Sequence, residues 1–155
     1  MVDVFEPAKR SLVMSRIQGK GNRSTELALA DVFKRERITG WRRHVALRPW
    51  LSPGDRAAAT PLSKGRISVV PDFLFRAAKL AVFVDGCFWH GCSEHCRKPD
   101  HNSEFWAKKL SGNVARDQRA TRALEAAGWT VVRVWEHELK DMTQVLKRLR
   151  AQLKA

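Results

Sequence analysis

The side chains most able to do chemistry lie in one short segment, DGCFWHGCSEHC, which runs from Asp85 to Cys96. It holds all three cysteines of the chain and two of its five histidines. Cys87, Cys92 and Cys96 follow a C-x4-C-x3-C spacing, and His95 stands between the last two. Thiolates and imidazoles at such short spacings in a loop are typical ligands of tetrahedral zinc. The segment therefore predicts a zinc site that pins an irregular loop.

The fourth ligand of this zinc site is left open by the residues alone. It could come from within the segment or from elsewhere, and His137, just after the apolar stretch WTVVRVWE, is one candidate. Four protein ligands leave no open coordination position, so the pattern favours structural over catalytic zinc. Clustered cysteines in a reducing compartment favour a metal over a disulfide. Three buried or free cysteines without a metal are the alternative interpretation.

Two carboxylates accompany the apolar stretches that precede this segment. Asp72 lies within ISVVPDFLFR, and Asp85 ends KLAVFVD. The two stretches predict a hairpin of buried strands, which can bring both carboxylates close together. Neighbouring carboxylates are hard oxygen ligands for magnesium, the metal of much phosphodiester chemistry. An acid among Val, Phe and Leu is costly without a partner or a metal, and a structural salt bridge is the alternative.

An aromatic pair, Phe88 and Trp89, stands beside the predicted zinc ligands in a loop that is otherwise polar. Large aromatic side chains can insert between base pairs as wedges and kink a duplex. The alternative is that the two rings only pack the zinc loop. The residues alone do not choose between these interpretations.

A long helical pattern from Ser103 to Gly128 carries an acid on its apolar face. The residues of that stripe recur in steps of three or four: Trp106, Leu110, Val114, Asp117, Thr121 and Leu124. Because Asp117 shares the stripe, its carboxylate could orient a histidine or bind an arginine. Basic residues nearby could meet phosphates, although a solvated basic face is the alternative for each. These residues are Lys108, Lys109, Arg116 and Arg119.

Length and charge bound the class of protein. The chain has 155 residues, which suits a single domain over residues 1–155, and we expect a monomer. Its net charge of +13 indicates a polyanion partner, with nucleic acid first. No apolar run approaches the roughly 18–20 residues of a membrane span, and the N-terminus lacks a signal peptide's apolar core. We therefore expect a cytoplasmic protein with no membrane partner.

The elements that must position these residues follow from periodicity and turn signals. Residues 1–23 predict a basic arm, and residues 48–66 a long loop rich in Pro and Gly. Helices are predicted over residues 24–37 (capped by Ser24), 103–128 (with a break at Gly112) and 138–154. Strands are predicted over residues 41–45, the hairpin 67–86, and residues 129–136. This order predicts an α/β fold with a mixed central sheet and helices on both faces.

Taken together, these motifs resemble the very-short-patch-repair (Vsr) mismatch endonuclease family. The match runs from MSRIQGKGNRSTE through PDF and GCFWH to EFW, NVARD, GW and VWE, across most of residues 14–137. The resemblance implies a restriction-endonuclease-like fold of the PD-(D/E)XK superfamily. It also implies magnesium-dependent nicking of DNA on the 5′ side of the thymine in a T·G mismatch, which arises when 5-methylcytosine deaminates. A structural zinc would accompany the magnesium.

The resemblance also implies roles for the catalytic residues. Asp72 matches the family's metal-binding aspartate, and His90 matches the histidine taken as general base for the attacking water. Glu26, in STE, matches an acid that helps to hold the water shell of the metal. Asp117 matches a residue expected to orient the active site. Magnesium would then stabilise the charge that develops on the phosphate as His90 takes the proton.

Zinc and DNA contacts carry over in the same way. The aromatic residues Phe88, Trp89 and Trp106 match the side chains that intercalate beside the mismatch, and Lys109 and Arg116 are the basic residues expected on DNA. The implied zinc ligands are Cys87, Cys92, His137 and, in preference to Cys96, His95. The resemblance suggests coupling to a cytosine-5 DNA methyltransferase and a repair polymerase, in the bacterial nucleoid.

The chain departs from the family's pattern at two places. Well-known members carry Thr-His before GCFWH, whereas this chain has Val84 and Asp85. The Val84 carbonyl could still coordinate magnesium, and Asp85 looks like the second acid of the wider superfamily. The Pro-rich loop 48–66 replaces a short approach to PDF and can alter the choice of flanking bases. Two alternatives follow, a related nuclease acting on other modified or paired DNA, and a zinc-stabilised DNA-binding module without catalysis.

Overall fold

A computed structural model describes residues 25–51, 53–58, 65–96 and 102–154. The predicted basic arm and the predicted Ser24 cap lie outside these residues. The helices are α1 (Glu26–Arg35), α2 (Ser103–Ala126) and α3 (Met142–Leu153), with 3-10 helices at Pro53–Ala58 and Glu136–Lys140. The strands are β1 (Trp41–Arg43), β2 (Phe73–Phe75), β3 (Leu80–Asp85) and β4 (Thr130–Trp135). Among the described residues, none of the helices is long and apolar enough to cross a membrane.

The four strands form one mixed sheet in the order β1-β2-β3-β4. β1 with β2 and β2 with β3 are antiparallel, and β3 with β4 is parallel. A parallel pair needs a long crossover, and α2 lies on the chain between β3 and β4. The cysteine-rich segment follows β3 directly, so the crossover leaves the sheet at the predicted zinc loop.

Helices cover both faces of this sheet, as the sequence predicted. On β3, Leu80 and Val82 pack with side chains of α1 and α3, whereas Ala81 and Phe83 pack with α2. Because successive strand residues point to opposite faces, this alternation places α1 and α3 on one side and α2 on the other. The result is a three-layer α/β arrangement, consistent with a restriction-endonuclease-like fold.

Several elements differ from the prediction in their boundaries or continuity. β2 begins only at Phe73, so Asp72 precedes the strand instead of lying within it. α2 runs unbroken through Gly112, since a glycine costs a helix only about 1 kcal/mol relative to alanine. The last helix begins at Met142 and not at residue 138, because Asp141 caps it by accepting a hydrogen bond from the Thr143 N–H.

The described parts of the loop 48–66 are tied to the rest of the fold. Trp50 pairs with Arg66 in an isolated antiparallel bridge, and the Arg66 guanidinium lies 4.4 Å from the Trp50 ring centroid. Asp55, in the first 3-10 helix, accepts two hydrogen bonds from Arg122 of α2, at 2.7 and 2.9 Å. The predicted loop is therefore irregular but anchored to α2.

Candidate active site and metal centres

Three potential ligands meet where α1, β1 and β2 converge. Glu26 is the first residue of α1, His44 follows β1, and Asp72 precedes β2. β1 and β2 pair Arg43 with Phe73, which places His44 next to Asp72. One ligand atom from each of Glu26, His44 and Asp72 lies within 4.8 Å of the others. We call these three residues the carboxylate cluster.

The carboxylate cluster concentrates negative charge in a protected place. Burial, together with the nearby Glu26 and Asp85 carboxylates, raises the pKa of Asp72 to about 7, against a lowering hydrogen bond from the Val84 N–H at 2.7 Å. Glu26 is buried and accepts hydrogen bonds from Arg43 at 2.6 Å and His44 at 2.8 Å. A divalent cation would relieve the cost of ionising Asp72, so carboxylate oxygens of this kind fit magnesium.

His44 is a residue that the sequence analysis missed. It has a φ of 53°, in the left-handed region that non-glycine residues seldom adopt. Such backbone conformations concentrate at functional sites, because the surrounding structure must hold them in place. In WRRH the residue continues a basic run, so only the pairing of β1 with β2 shows its position beside Asp72.

His90 forms a second centre with Asp117. Its Nδ1 lies 2.6 Å from Asp117 Oδ2 and 3.5 Å from Asp85 Oδ1. Burial lowers the pKa of His90, but the hydrogen bond to Asp117 and the charges of both carboxylates outweigh it and raise the pKa above its usual value. Because an ionised carboxylate can only accept a hydrogen bond, Nδ1 carries the ring proton of neutral His90. Its Nε2 is then free to accept a second proton.

The same centre contains Arg133, which the sequence analysis did not single out. Its Nη1 lies 2.6 Å from Asp85 Oδ2, and its Nη2 donates to the Asp117 backbone carbonyl at 3.3 Å. Asp85 lies outside the carboxylate cluster, although its charge acts on Asp72. A signal was present in TVVRVW, where one cation interrupts an apolar strand, the same signal that identified Asp72.

A cavity of about 360 Å³ opens beside this second centre. It is bounded by the C-terminal ends of β3 and β4 and by one side of α2. Its lining residues are Asp85, His90, Val114, Asp117, Gln118, Thr121, Arg122, Arg133 and Trp135. The predicted inward face of α2 therefore forms one wall of the cavity in which His90 lies.

The cysteine-rich segment supplies a third group of close ligand atoms. Cys87, Cys92, His95 and His137 each offer an atom within 4.8 Å of the others, and we call these residues the thiol cluster. Cys87 Sγ lies 3.2 Å and Cys92 Sγ 3.7 Å from His137 Nδ1. Tetrahedral zinc with ordinary bond lengths sets sulfur and nitrogen ligands about 3.6 Å apart, so the donor set fits zinc.

Cys96, the alternative to His95, is directed elsewhere. Its Sγ lies 3.6 Å from the Phe88 carbonyl, whereas His95 Nδ1 lies 3.8 Å from Cys92 Sγ. The rings of His95 and His137 are also close, with centroids 4.4 Å apart. The structure thus brings His95 close to Cys87 and Cys92, together with His137 from beyond β4.

The predicted wedge residues form one aromatic group. Phe88 lies 5.0 Å from Trp89 and 5.3 Å from Trp106 between ring centroids, so the loop and α2 contribute together. Phe105, which the sequence analysis did not select, extends the group and is 59% exposed. Asn113 of α2 donates to the Trp89 carbonyl at 3.0 Å and holds the loop against the helix.

The two basic residues predicted to contact DNA both lie on α2 and are exposed. Lys109 lies on the helix one turn beyond Phe105. The Arg116 guanidinium approaches Asp117 Oδ1 at 3.6 Å while remaining 58% exposed. Arg116 can therefore meet a phosphate while its charge also acts on the acid that holds His90.

Comparison with known proteins places this geometry in a family. The nicking enzyme V.NmeAIP of Neisseria meningitidis serogroup A is 32% identical over 152 residues, a match covering 96% of this chain and 92% of that protein. The chain belongs to the Vsr family. The family model described as DNA mismatch endonuclease Vsr matches residues 58–98, which contain PDF and GCFWH.

Other relatives match over shorter stretches. The type II nicking enzyme V.NaeI of Lentzea aerocolonigenes is 53% identical over 72 residues, or 46% of this chain. The DNA mismatch endonuclease Vsr of Escherichia coli is 40% identical over 73 residues, or 45% of this chain. In these two matches the chain spans less than half of the relative, 43% and 46% respectively.

Proposed function

We propose that this Vsr-family chain is a magnesium-dependent DNA endonuclease that nicks one strand on the 5′ side of the thymine in a T·G mismatch. The observation that carries the proposal is the His90–Asp117 pair beside the cavity. The carboxylate cluster lies near enough for Asp85 to influence both Asp72 and His90. A general base next to a magnesium-binding acid is the arrangement that phosphodiester hydrolysis requires.

The side chains divide the work of hydrolysis. Asp117 accepts the Nδ1 proton of His90, which fixes the ring and directs Nε2 to the cavity as a proton acceptor. Nε2 takes a proton from the attacking water. Glu26 is held beside Asp72 by Arg43 and His44. Oriented groups of this kind lower the barrier because they need no reorganisation during the reaction.

Two metals have separate roles in this proposal. Magnesium, bound by Asp72 with support from Glu26 and the Val84 carbonyl, would stabilise the charge that develops on the phosphate. Zinc would be held by the thiol cluster, where four protein ligands make its role structural. Because His90, Phe88 and Trp89 lie on the same loop as Cys87 and Cys92, zinc would fix their positions.

The aromatic group supplies the preference for mismatches. Inserting Phe88, Trp89 and Trp106 beside a base pair costs a few kcal/mol of stacking. A T·G mismatch is already weakly paired, so its insertion cost is lower than that of a normal pair. The net charge of +13, with Lys109 and Arg116 near the wedge, attracts the duplex at long range.

A second candidate function is nicking of other modified or paired DNA. V.NmeAIP and V.NaeI are named type II nicking enzymes, and Asp55 of the loop 48–66 contacts Arg122, which lines the cavity. In either case the chain would act as a monomer, coupled to a cytosine-5 DNA methyltransferase and to a repair polymerase.

Strand-specific nicking of end-labelled duplexes with magnesium tests the proposal. The panel contains T·G, U·G, hypoxanthine-containing and fully paired sites in several flanking contexts. We expect one nick 5′ of the thymine in T·G, and none with Asp72→Asn. Nicking of paired or otherwise modified sites would favour the second candidate function. Binding of the panel without nicking by the wild-type protein would contradict both and leave a DNA-binding module.

A further inference from the structure

Asp85 and Arg133 lie side by side on the sheet face that α2 covers. The parallel register of β3 and β4 sets Phe83 opposite Arg133, and Asp85 opposite Trp135. Because residues two apart on a strand share a face, Asp85 stands on the same face as Phe83 and Arg133. The Asp85 side chain is only 4% exposed and accepts from Arg133 at 2.6 Å. The sheet thus builds a protected ion pair next to His90.

The Arg133 guanidinium uses all three of its nitrogens. Nη1 contacts Asp85, Nη2 donates to the Asp117 backbone carbonyl at 3.3 Å, and Nε donates to Thr121 Oγ1 at 3.4 Å. Phe83 lies below the guanidinium plane, with its ring centroid 4.8 Å away. Lysine could not reproduce this fork, because its ammonium is a single point charge. Arg133 therefore fixes β3, β4 and α2 relative to one another.

Two carboxylates compete for one N–H of His90. Asp117 Oδ2 lies 2.6 Å from Nδ1, and Asp85 Oδ1 lies 3.5 Å from the same atom. Arg133 holds the other oxygen of Asp85, which favours the shorter bond to Asp117. Without the guanidinium, a buried unpaired charge would face both His90 and Asp117, a strongly unfavourable arrangement.

We propose that Asp85 and Arg133 form a clamp that positions His90, and that Asp85 is part of this clamp and not a magnesium ligand. Both oxygens of Asp85 already face N–H donors, of the Arg133 guanidinium and the His90 ring, and the carboxylate lies outside the carboxylate cluster. An acidic residue at the position of Asp85 in β3 then requires a cationic partner at the position of Arg133 in β4. The inference rests on the proposed role of His90 as general base.

A double-mutant cycle tests the clamp. The variants are Arg133→Met, Asp85→Asn and the double variant, with single-turnover nicking and DNA affinity measured for each. We expect Arg133→Met to slow nicking about 100-fold with DNA affinity unchanged, as for other groups that orient a catalytic side chain. The double variant, which leaves no unpaired charge, should regain about tenfold over Arg133→Met. Arg133→Lys should regain less than the double variant.

A titration of magnesium in the same variants shows whether Asp85 acts in the clamp or as a magnesium ligand. If Asp85 binds magnesium, Asp85→Asn raises the magnesium concentration for half-maximal nicking, and the double variant gains nothing. That result, or strictly additive effects in the cycle, would overturn the inference. The matched control is Glu36 with Arg150, an exposed pair of the same 2.6 Å length that joins the far end of α1 to α3. Arg150→Met should leave nicking unchanged.

A measurement without substrate keeps this inference separate from the proposed function. Nitrogen-15 resonances of the His90 ring report which nitrogen carries the proton. We expect Nδ1 to carry it in the wild-type protein, and Arg133→Met to shift the signal as Asp85 competes with Asp117. An unchanged ring signal in Arg133→Met would overturn the clamp, even if nicking by that variant is slowed. Absence of nicking by the wild-type protein would overturn only the proposed function.

Discussion

The carboxylate cluster and the thiol cluster are both groups of close ligand atoms, but they stand on different scaffolds. Glu26, His44 and Asp72 lie at the ends of α1, β1 and β2, which the hydrophobic core positions without a metal. The thiol cluster takes three of its four residues from residues 86–96, which form turns. The fold therefore builds the proposed magnesium site in advance, whereas zinc would order the loop that carries His90.

Asp72→Asn should separate these roles most clearly. Because a metal ligand stabilises charge in the transition state by several kcal/mol, we expect nicking to fall about 1,000-fold or more. The free energy of unfolding should not fall, because the amide replaces a buried carboxyl group whose ionisation is costly. Nicking rates and thermal unfolding of the purified variant check both points. The exposed Asp31 provides a control, and Asp31→Asn should change neither quantity.

Loss of DNA binding by Asp72→Asn would contradict this division of roles. It would mean that the carboxylate cluster shapes the DNA-binding surface instead of holding a metal ion. A large fall in melting temperature would likewise show that Asp72 is a structural partner of the core.

Unlike Asp72→Asn, Cys92→Ala should disrupt structure, namely the loop of residues 86–96, and slow nicking as a consequence. Removing one of the four ligands weakens zinc binding, so the loop that carries Phe88, Trp89 and His90 loses its fixed position. We expect zinc content to fall from one per chain towards zero, and nicking to fall roughly 100-fold with weaker DNA binding. Metal analysis by mass spectrometry, gel shifts and limited proteolysis of the loop measure these changes.

Cys96→Ala is the matched control for that experiment. Cys96 lies four residues from Cys92, but its thiol approaches the Phe88 carbonyl instead of the ligand atoms. We expect the variant to retain one zinc per chain. Zinc loss in Cys96→Ala with retention in His95→Ala would show that Cys96, and not His95, is the zinc ligand.

More of the thiol cluster than of the carboxylate cluster could be predicted from the sequence, because the two clusters are built by contacts of different range along the chain. Short-range spacing carries the thiol cluster, so three of its four residues could be proposed from one segment. The carboxylate cluster depends on the register of β1 with β2, which brings His44 to Asp72 from nearly thirty residues away. Arg133 depends in the same way on the register of β3 with β4. Local sequence periodicity does not predict which residues of two strands pair.

The helices and the core were more accessible to prediction. The apolar stripe of α2 placed Asp117 on the inward face because a helix repeats every 3.6 residues. The start of β2 was misplaced since ISVVPDFLF reads as one apolar run, while the backbone of Asp72 leaves the sheet. Pattern alone cannot show where a strand loses its partner.

Asp117→Asn tests the orienting role of the second centre, with a smaller effect on rate. Only neutral His90 accepts a proton, so nicking should decline as pH falls through its raised pKa. The amide removes the hydrogen-bonded charge, so this decline should move to lower pH. We expect a rate at the plateau that is slower by about 10- to 100-fold, because the ring loses the carboxylate that orients it. Single-turnover rates across pH measure both effects.

An unshifted acid limb in Asp117→Asn would show that the observed pH dependence belongs to another group. The carboxylate cluster is the natural alternative, since Asp72 must ionise before it binds magnesium. The same profile recorded at saturating magnesium separates the two groups, because a metal-linked ionisation moves with magnesium concentration and that of His90 does not.

The smallest effect concerns folding stability in the absence of DNA. The pKa of Asp72 is about 7 in the folded chain against an ordinary 3.8, so between these values the folded state holds a proton that the unfolded chain has lost. This residue therefore makes stability fall as pH rises from about 4 to about 7. Magnesium binds the ionised carboxylate, so it should raise the melting temperature more near pH 8 than near pH 5. Asp72→Asn should abolish that pH dependence, and zinc chelation should leave it in place if the core alone positions the carboxylate cluster.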